Sequence, residues 1–129
     1  MQRDMDLVRE ILLQVDAAPA PIEMENLASY DDGDTRSMGI LRYHLGMMIQ
    51  QAGLLRGEDL GIDEAYWADL ELTWRGHEYL DQVRDPEIWR QAKDGAKKAG
   101  GWSLDILSSI AKGLIKAQIS RHTGMDTSF

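Results

Sequence analysis

From Asp34 to Leu55 the chain reads DTRSMGILRYHLGMMIQQAGLL, with apolar positions recurring at three- and four-residue spacing until a glycine stops them. That period is the one an α-helix presents on a single face. With Leu41 at the centre of the face, Met38, Leu45, Met48, Ile49 and Ala52 fall within its width and His44 falls on its border. The opposite side carries Arg36, Gly39, Tyr43, Gly46 and Gln50, flanked by Arg42 and Met47. Gly53 breaks the helix and Leu54-Leu55-Arg56 starts an extended segment, so the rest of the chain must cover one amphipathic rod that leads straight into a strand. A polar face of arginine, tyrosine, glutamine and glycine can approach a base-pair edge and hydrogen-bond there. It can equally be a solvated helix face.

The flanking segments supply the covering. Met5, Val8, Ile11, Leu12 and Val15 mark an amphipathic helix over 4–17, which Pro19 and Pro21 end. Ile22, Met24 and Leu27 alternate weakly with polar residues and suggest a short exposed strand, and Asp31-Asp32-Gly33-Asp34 is a turn into the long helix. After Gly53, residues 57–65 read as a loop and Tyr66 to Leu72 as a half-buried strand. Thr73 caps a further helix in which Gly76, His77, Leu80 and Val83 share a side. Pro86 opens another, ended by Gly100-Gly101, and Ser103 caps the last. The fold class expected is mainly α with a small β-ribbon: a winged helix-turn-helix core over 1–85 and a basic helical extension over 86–129. At 129 residues the chain has the size of one domain with an appendage, enough to hold a core without staples.

Three strings carry a resemblance: Met1-Gln2-Arg3-Asp4-Met5-Asp6-Leu7-Val8-Arg9-Glu10-Ile11-Leu12, the segment from Tyr43-His44-Leu45 to Gln51-Ala52-Gly53-Leu54, and Leu72-Thr73-Trp74-Arg75-Gly76-His77-Glu78-Tyr79-Leu80-Asp81. Together they resemble a family of bacterial and phage proteins catalogued as domain of unknown function number 2513. The resemblance covers most of the chain and implies a winged-helix core and frequent occurrence in phages and mobile elements. It brings no site residues with it.

Charge divides the chain. Residues 1–85 carry 7 Lys/Arg against 18 Asp/Glu, net −11, whereas residues 86–129 carry 7 against 4, net +3. If the fold reads double-stranded DNA, the long helix enters the major groove and the wing from Arg56 to Tyr66 touches an adjacent phosphate. Arg36, Arg42, Tyr43, Gln50 and Arg56 are then the contacting residues, helped by Lys93, Lys97 and Lys98. Against this, Arg56 stands among Glu58, Asp59, Asp63 and Glu64, and carboxylates repel a phosphate backbone. The alternative is an acidic winged-helix scaffold that binds a host or phage protein without catalysing anything.

The last helix has surplus apolar surface. Leu104, Ile106, Leu107, Ile110, Ala111, Leu114, Ile115, Ala117 and Ile119 occupy more than half of its circumference. Three readings stand: self-association over 103–120 through Leu104, Leu107, Ile110, Leu114 and Ile115; a membrane-surface helix helped by Lys112 and Lys116; or a helix inserted deeply in its own core. Self-association makes the protein a homo-oligomer, with a membrane the less expected partner.

Chemistry is sparsely signalled. There is no cysteine, hence no disulfide, thiolate nucleophile or cysteine metal site, which suits a cytoplasmic setting. The N-terminus is neither a signal peptide nor a membrane span. His44, His77 and His122 lie on different elements, and no metal-ligand spacing, calcium loop or phosphate loop occurs. His44 and His77 read as satisfied histidines at a core edge, and Trp67, Trp74, Trp89 and Trp102 as core and junction packing. The expectation is no enzyme, no cofactor and no metal.

Overall fold

The computed structural model describes residues 2–123, with side chains through Arg121. Two compact units divide the chain, one ending at Leu80 and the other beginning at Asp81. The step in charge suggested 85/86 instead; composition marks where charge changes, whereas compactness follows contacts, and the boundary falls inside a helix.

In the first unit, helix α1 (Met5–Ala17) is capped by Asp4, whose carboxylate accepts the Leu7 N–H at 3.1 Å, and it buries Met5, Val8, Ile11, Leu12 and Val15. Beyond the prolines, Ile22 makes a single antiparallel bridge to Leu70, exchanging hydrogen bonds of 3.1 and 2.8 Å. The strand expected over 22–27 stops there and gives way to one 3₁₀ turn, Met24–Asn26. Asn26 causes the change: its Oδ1 accepts the Glu23 N–H and its own N–H reaches the Glu23 carbonyl, both at 2.9 Å, which curls the chain. Met24 and Leu27, three residues apart, thereby both turn inward and are buried.

Helix α2 (Thr35–Gln50) starts at Asp34, whose carboxylate takes the N–H groups of Arg36 and Ser37 and the Ser37 hydroxyl. Leu41, Leu45, Met48 and His44 are fully buried. The apolar stripe therefore faces the core as its period requires. Gly53, at φ +66, turns the chain into strand β1 (Leu55–Asp59). This strand pairs antiparallel with β2 (Trp67–Leu72), so Gly57–Asp59, expected in a loop, is ladder instead. Pairing outweighs the weak local preference of Gly-Glu-Asp for a strand. Asp69 and Leu70 together stand opposite Gly57, and Asp69 takes φ 54, the extra residue of a β-bulge.

Helix α3 (Trp74–Val83) is started by Thr73, whose hydroxyl donates to the Gly53 carbonyl at 2.5 Å and accepts the Gly76 N–H at 3.0 Å. The cap thus ties the turn after α2 to the start of α3. In the second unit, Asp85 caps α4 (Pro86–Lys98) and Ser103 caps α5 (Leu104–Thr123). Gly100 and Gly101, at φ +106 and +147, reverse the chain between them, and the two helices pack on each other. Ile88, Trp89, Ala92 and Ala96 of α4 and Leu107 and Ala111 of α5 are buried. The fold is mainly helical with one two-stranded antiparallel sheet among the described residues, and its order of helix, bridge, helix and ribbon is compatible with a winged helix.

Candidate interaction surface on α2 and the ribbon

The helix face read as exposed is only partly so. Arg36 and Gln50 are exposed, and a Cβ at Gly39 would meet nothing within 4 Å. Tyr43 is half-buried with its ring edge-on to the His44 imidazole, centroids 5.2 Å apart. A Cβ at Gly46 would come within 3.9 Å of the Trp67 ring, so that end of the face leans on β2.

The two arginines nearest the ribbon are already engaged. Arg42 donates from Nε to the Ala65 carbonyl at 3.1 Å and pairs with Glu64 at 3.1 Å. Arg56 pairs across the ladder with Glu71, also at 3.1 Å. Asp59 turns its Oδ1 inward to accept the N–H groups of Gly61 and Tyr66 at 2.9 and 3.0 Å. The ribbon loop is therefore fastened to itself and to α2. Acidity concentrates around it: burial first, then the Glu25 and Glu23 carboxylates, raises the Tyr66 phenol above its ordinary range. At the start of α2 the Ser37 hydroxyl and the amide donors hold Asp34 below the usual carboxylate range. The first unit carries 6 Lys/Arg against 16 Asp/Glu, net −10.

Lys93, Lys97 and Lys98 belong to α4. Lys93 lies 5.5 Å from the Trp89 ring centroid, and Lys97 and Lys98 are exposed in the last turn, where basic residues suit the helix dipole. On α5, Leu107 is fully buried within the chain, while Leu104, Ile110, Leu114 and Ile115 are half-buried.

His44 is satisfied, and deeper than the core edge: its Nδ1 lies 2.8 Å from the Ile40 carbonyl and its Nε2 accepts the Asp4 N–H at 2.8 Å. His77 departs from its expected apolar border. Gly76, Leu80 and Val83 turn inward, but His77 is half exposed, 3.7 Å from Asp16. The His122 side chain lies outside the described residues, as does Met1. Among the described residues no three metal-ligating side chains gather, and no helix is long and apolar enough to cross a membrane.

Two features escaped the sequence. Trp67 and Trp89 are buried and the Trp102 indole donates to the Lys93 carbonyl at 2.9 Å, but Trp74 is 80% exposed, its indole N–H held by Glu78 one turn on. The loop between the strands carries Leu60, 58% exposed, and Ile62, 99% exposed. The signal available was two apolar residues inside the acidic string Glu58-Asp59-Leu60-Gly61-Ile62-Asp63-Glu64, which a reading by charge alone passes over.

A helical scaffold with one ribbon, built on an amphipathic central helix and an acidic loop, is the class of protein defined. The model of the family described as hypothetical protein, DUF2513, matches residues 2–102, and the chain belongs to that family. It is also similar to an uncharacterized protein of Haemophilus influenzae, 30% identical over 125 residues that span 93% of this chain and 100% of the relative. No solved structure matches.

Proposed function

We propose that the first unit is a non-catalytic, winged-helix-type interaction module whose partner is a basic protein surface, acting in the cytoplasm that the lack of cysteine suits and in the phage or mobile-element setting that the resemblance implies. The observation that carries this is the internal pairing of Arg42 with Glu64 and of Arg56 with Glu71. Phosphate contact at either arginine competes with a carboxylate already paired to it, beside further carboxylates that repel the phosphate. A basic protein surface gains from the same field.

DNA reading is the second possibility, favoured by Arg36 and Gln50 exposed on α2 and by the open space at Gly39, through which a base edge can come close. A fluorescence titration of mixed-sequence duplexes at ~50 mM salt separates the two readings. No binding, together with retention from a host lysate of a basic protein that elutes as salt rises, supports the first reading. Duplex binding that weakens steeply with salt overturns it.

The chain acts as a homo-oligomer in this reading, through the half-buried Leu104, Ile110, Leu114 and Ile115 of α5 in the second unit. Light scattering at micromolar concentration tests it, and a monomer mass removes self-association from the proposal.

A further inference from the structure

The most exposed apolar side chain named on this surface belongs to Ile62, at 99%, with Leu60 two residues earlier at 58%. Single exposed hydrophobics are ordinary on protein surfaces. This pair differs because the loop that presents it is held in one shape. Asp59 accepts the Gly61 and Tyr66 N–H groups, and Leu60 N–H donates to the Tyr66 carbonyl at 2.9 Å. Arg42 grips Glu64 and the Ala65 carbonyl from α2. A Cβ on residue 61 would sit 1.7 Å from the Glu64 carbonyl oxygen, so the tight turn beneath Ile62 requires glycine.

We propose that Leu60 and Ile62 form a preorganised anchor for a partner protein that presents an amphipathic helix, its apolar stripe rimmed by lysine or arginine. This rests on the interaction reading above and adds the contact point and the partner's chemistry. A rigid loop loses little conformational freedom on docking, so burial of the two side chains is available as affinity. The exposed Glu58 and Asp63 flank the anchor and select a basic rim. The same carboxylates oppose insertion of the tip between DNA phosphates, and so favour a protein over nucleic acid.

The test uses the full chain with ¹³C-labelled isoleucine methyls. The probes are a synthetic helical peptide with a leucine stripe flanked by lysines, the same peptide with serine for leucine, and a mixed-sequence DNA duplex. The leucine peptide is expected to shift the Ile62 methyl signal saturably, and the serine peptide to bind about tenfold more weakly. Ile62→Ser is expected to weaken the leucine peptide by a similar factor with an unchanged melt, and Glu58→Gln with Asp63→Asn to flatten its salt dependence. Saturable binding that leaves the Ile62 signal unmoved, or that survives Ile62→Ser, overturns the anchor while the interaction reading stands. Absence of binding to both peptides overturns the anchor and leaves the interaction reading to the duplex titration and lysate retention above. Duplex binding that moves Ile62 overturns both and transfers the loop to nucleic acid.

Discussion

His44 of α2 holds the backbone of Asp4, the residue that caps α1: its Nε2 accepts the Asp4 N–H at 2.8 Å while its Nδ1 lies 2.8 Å from the Ile40 carbonyl. A carbonyl only accepts, so the ring proton sits on Nδ1 and leaves Nε2 as the acceptor. A fully buried polar ring is thus satisfied at both nitrogens and ties the start of one helix to the middle of another. His44→Ala removes both bonds and leaves a cavity, and is expected to cost about 3 kcal/mol in urea melts. Glutamine places an acceptor near the Nε2 position and asparagine a donor near Nδ1. His44→Gln should therefore keep the Asp4 bond, visible as slow exchange of that amide, and His44→Asn should lose it.

Two glycines separate backbone strain from steric exclusion. Gly53 has φ +66 with nothing within 4 Å of an added Cβ, so Gly53→Ala should cost about 1 kcal/mol, the penalty of a left-handed alanine. At Gly76 an added Cβ would lie 2.0 Å from the Leu54 carbonyl oxygen, on backbone fixed by the Thr73 N–H. Gly76→Ala should cost about 3 kcal/mol or more, or prevent folding, because neither backbone can yield without breaking the α2–β1 turn. Thermal melts of both variants side by side provide the measurement.

Tyr79 is buried, and among the described residues its hydroxyl has no hydrogen-bond partner. Burial drives its phenol far above the ordinary range, only partly offset by Arg9. A buried hydroxyl without a partner costs free energy, so Tyr79→Phe is expected to leave stability unchanged or raise it by about 1 kcal/mol. A loss of more than that in a denaturant melt would mean that the hydroxyl does find a partner.

Glu87 in the first turn of α4 accepts from Arg90 and Gln91, and these bonds lower its carboxyl from 4.5 to about 2. A depressed carboxyl stabilises the fold above its unfolded value and loses that contribution as pH falls through its folded one. The stability gap between the wild type and Glu87→Gln should therefore be constant above pH 4.5 and close as pH falls toward 2. The group is exposed, so the gap should be small and shrink further in high salt. A gap that widens on acidification would contradict the assignment.

The amphipathic periods of α1 and α2, the stop at Gly53 and the caps at Thr73 and Ser103 are local properties of the sequence, written in side-chain spacing and donor counts, and they were legible without coordinates. So was the acidity around the ribbon. What the sequence could not state is which groups meet across forty residues or across a ladder. Only tertiary structure brings Asp4 to His44, gives Arg42 to Glu64 and Arg56 to Glu71, and so neutralises two arginines that look available in the sequence. The same is true of Ile62: its string is mostly acidic, and its place at the tip of a fastened loop follows from strand pairing and from hydrogen bonds to Asp59 and Arg42. Ion pairs and exposure are long-range outcomes, because they depend on which surfaces burial has left over after the periodic segments pack.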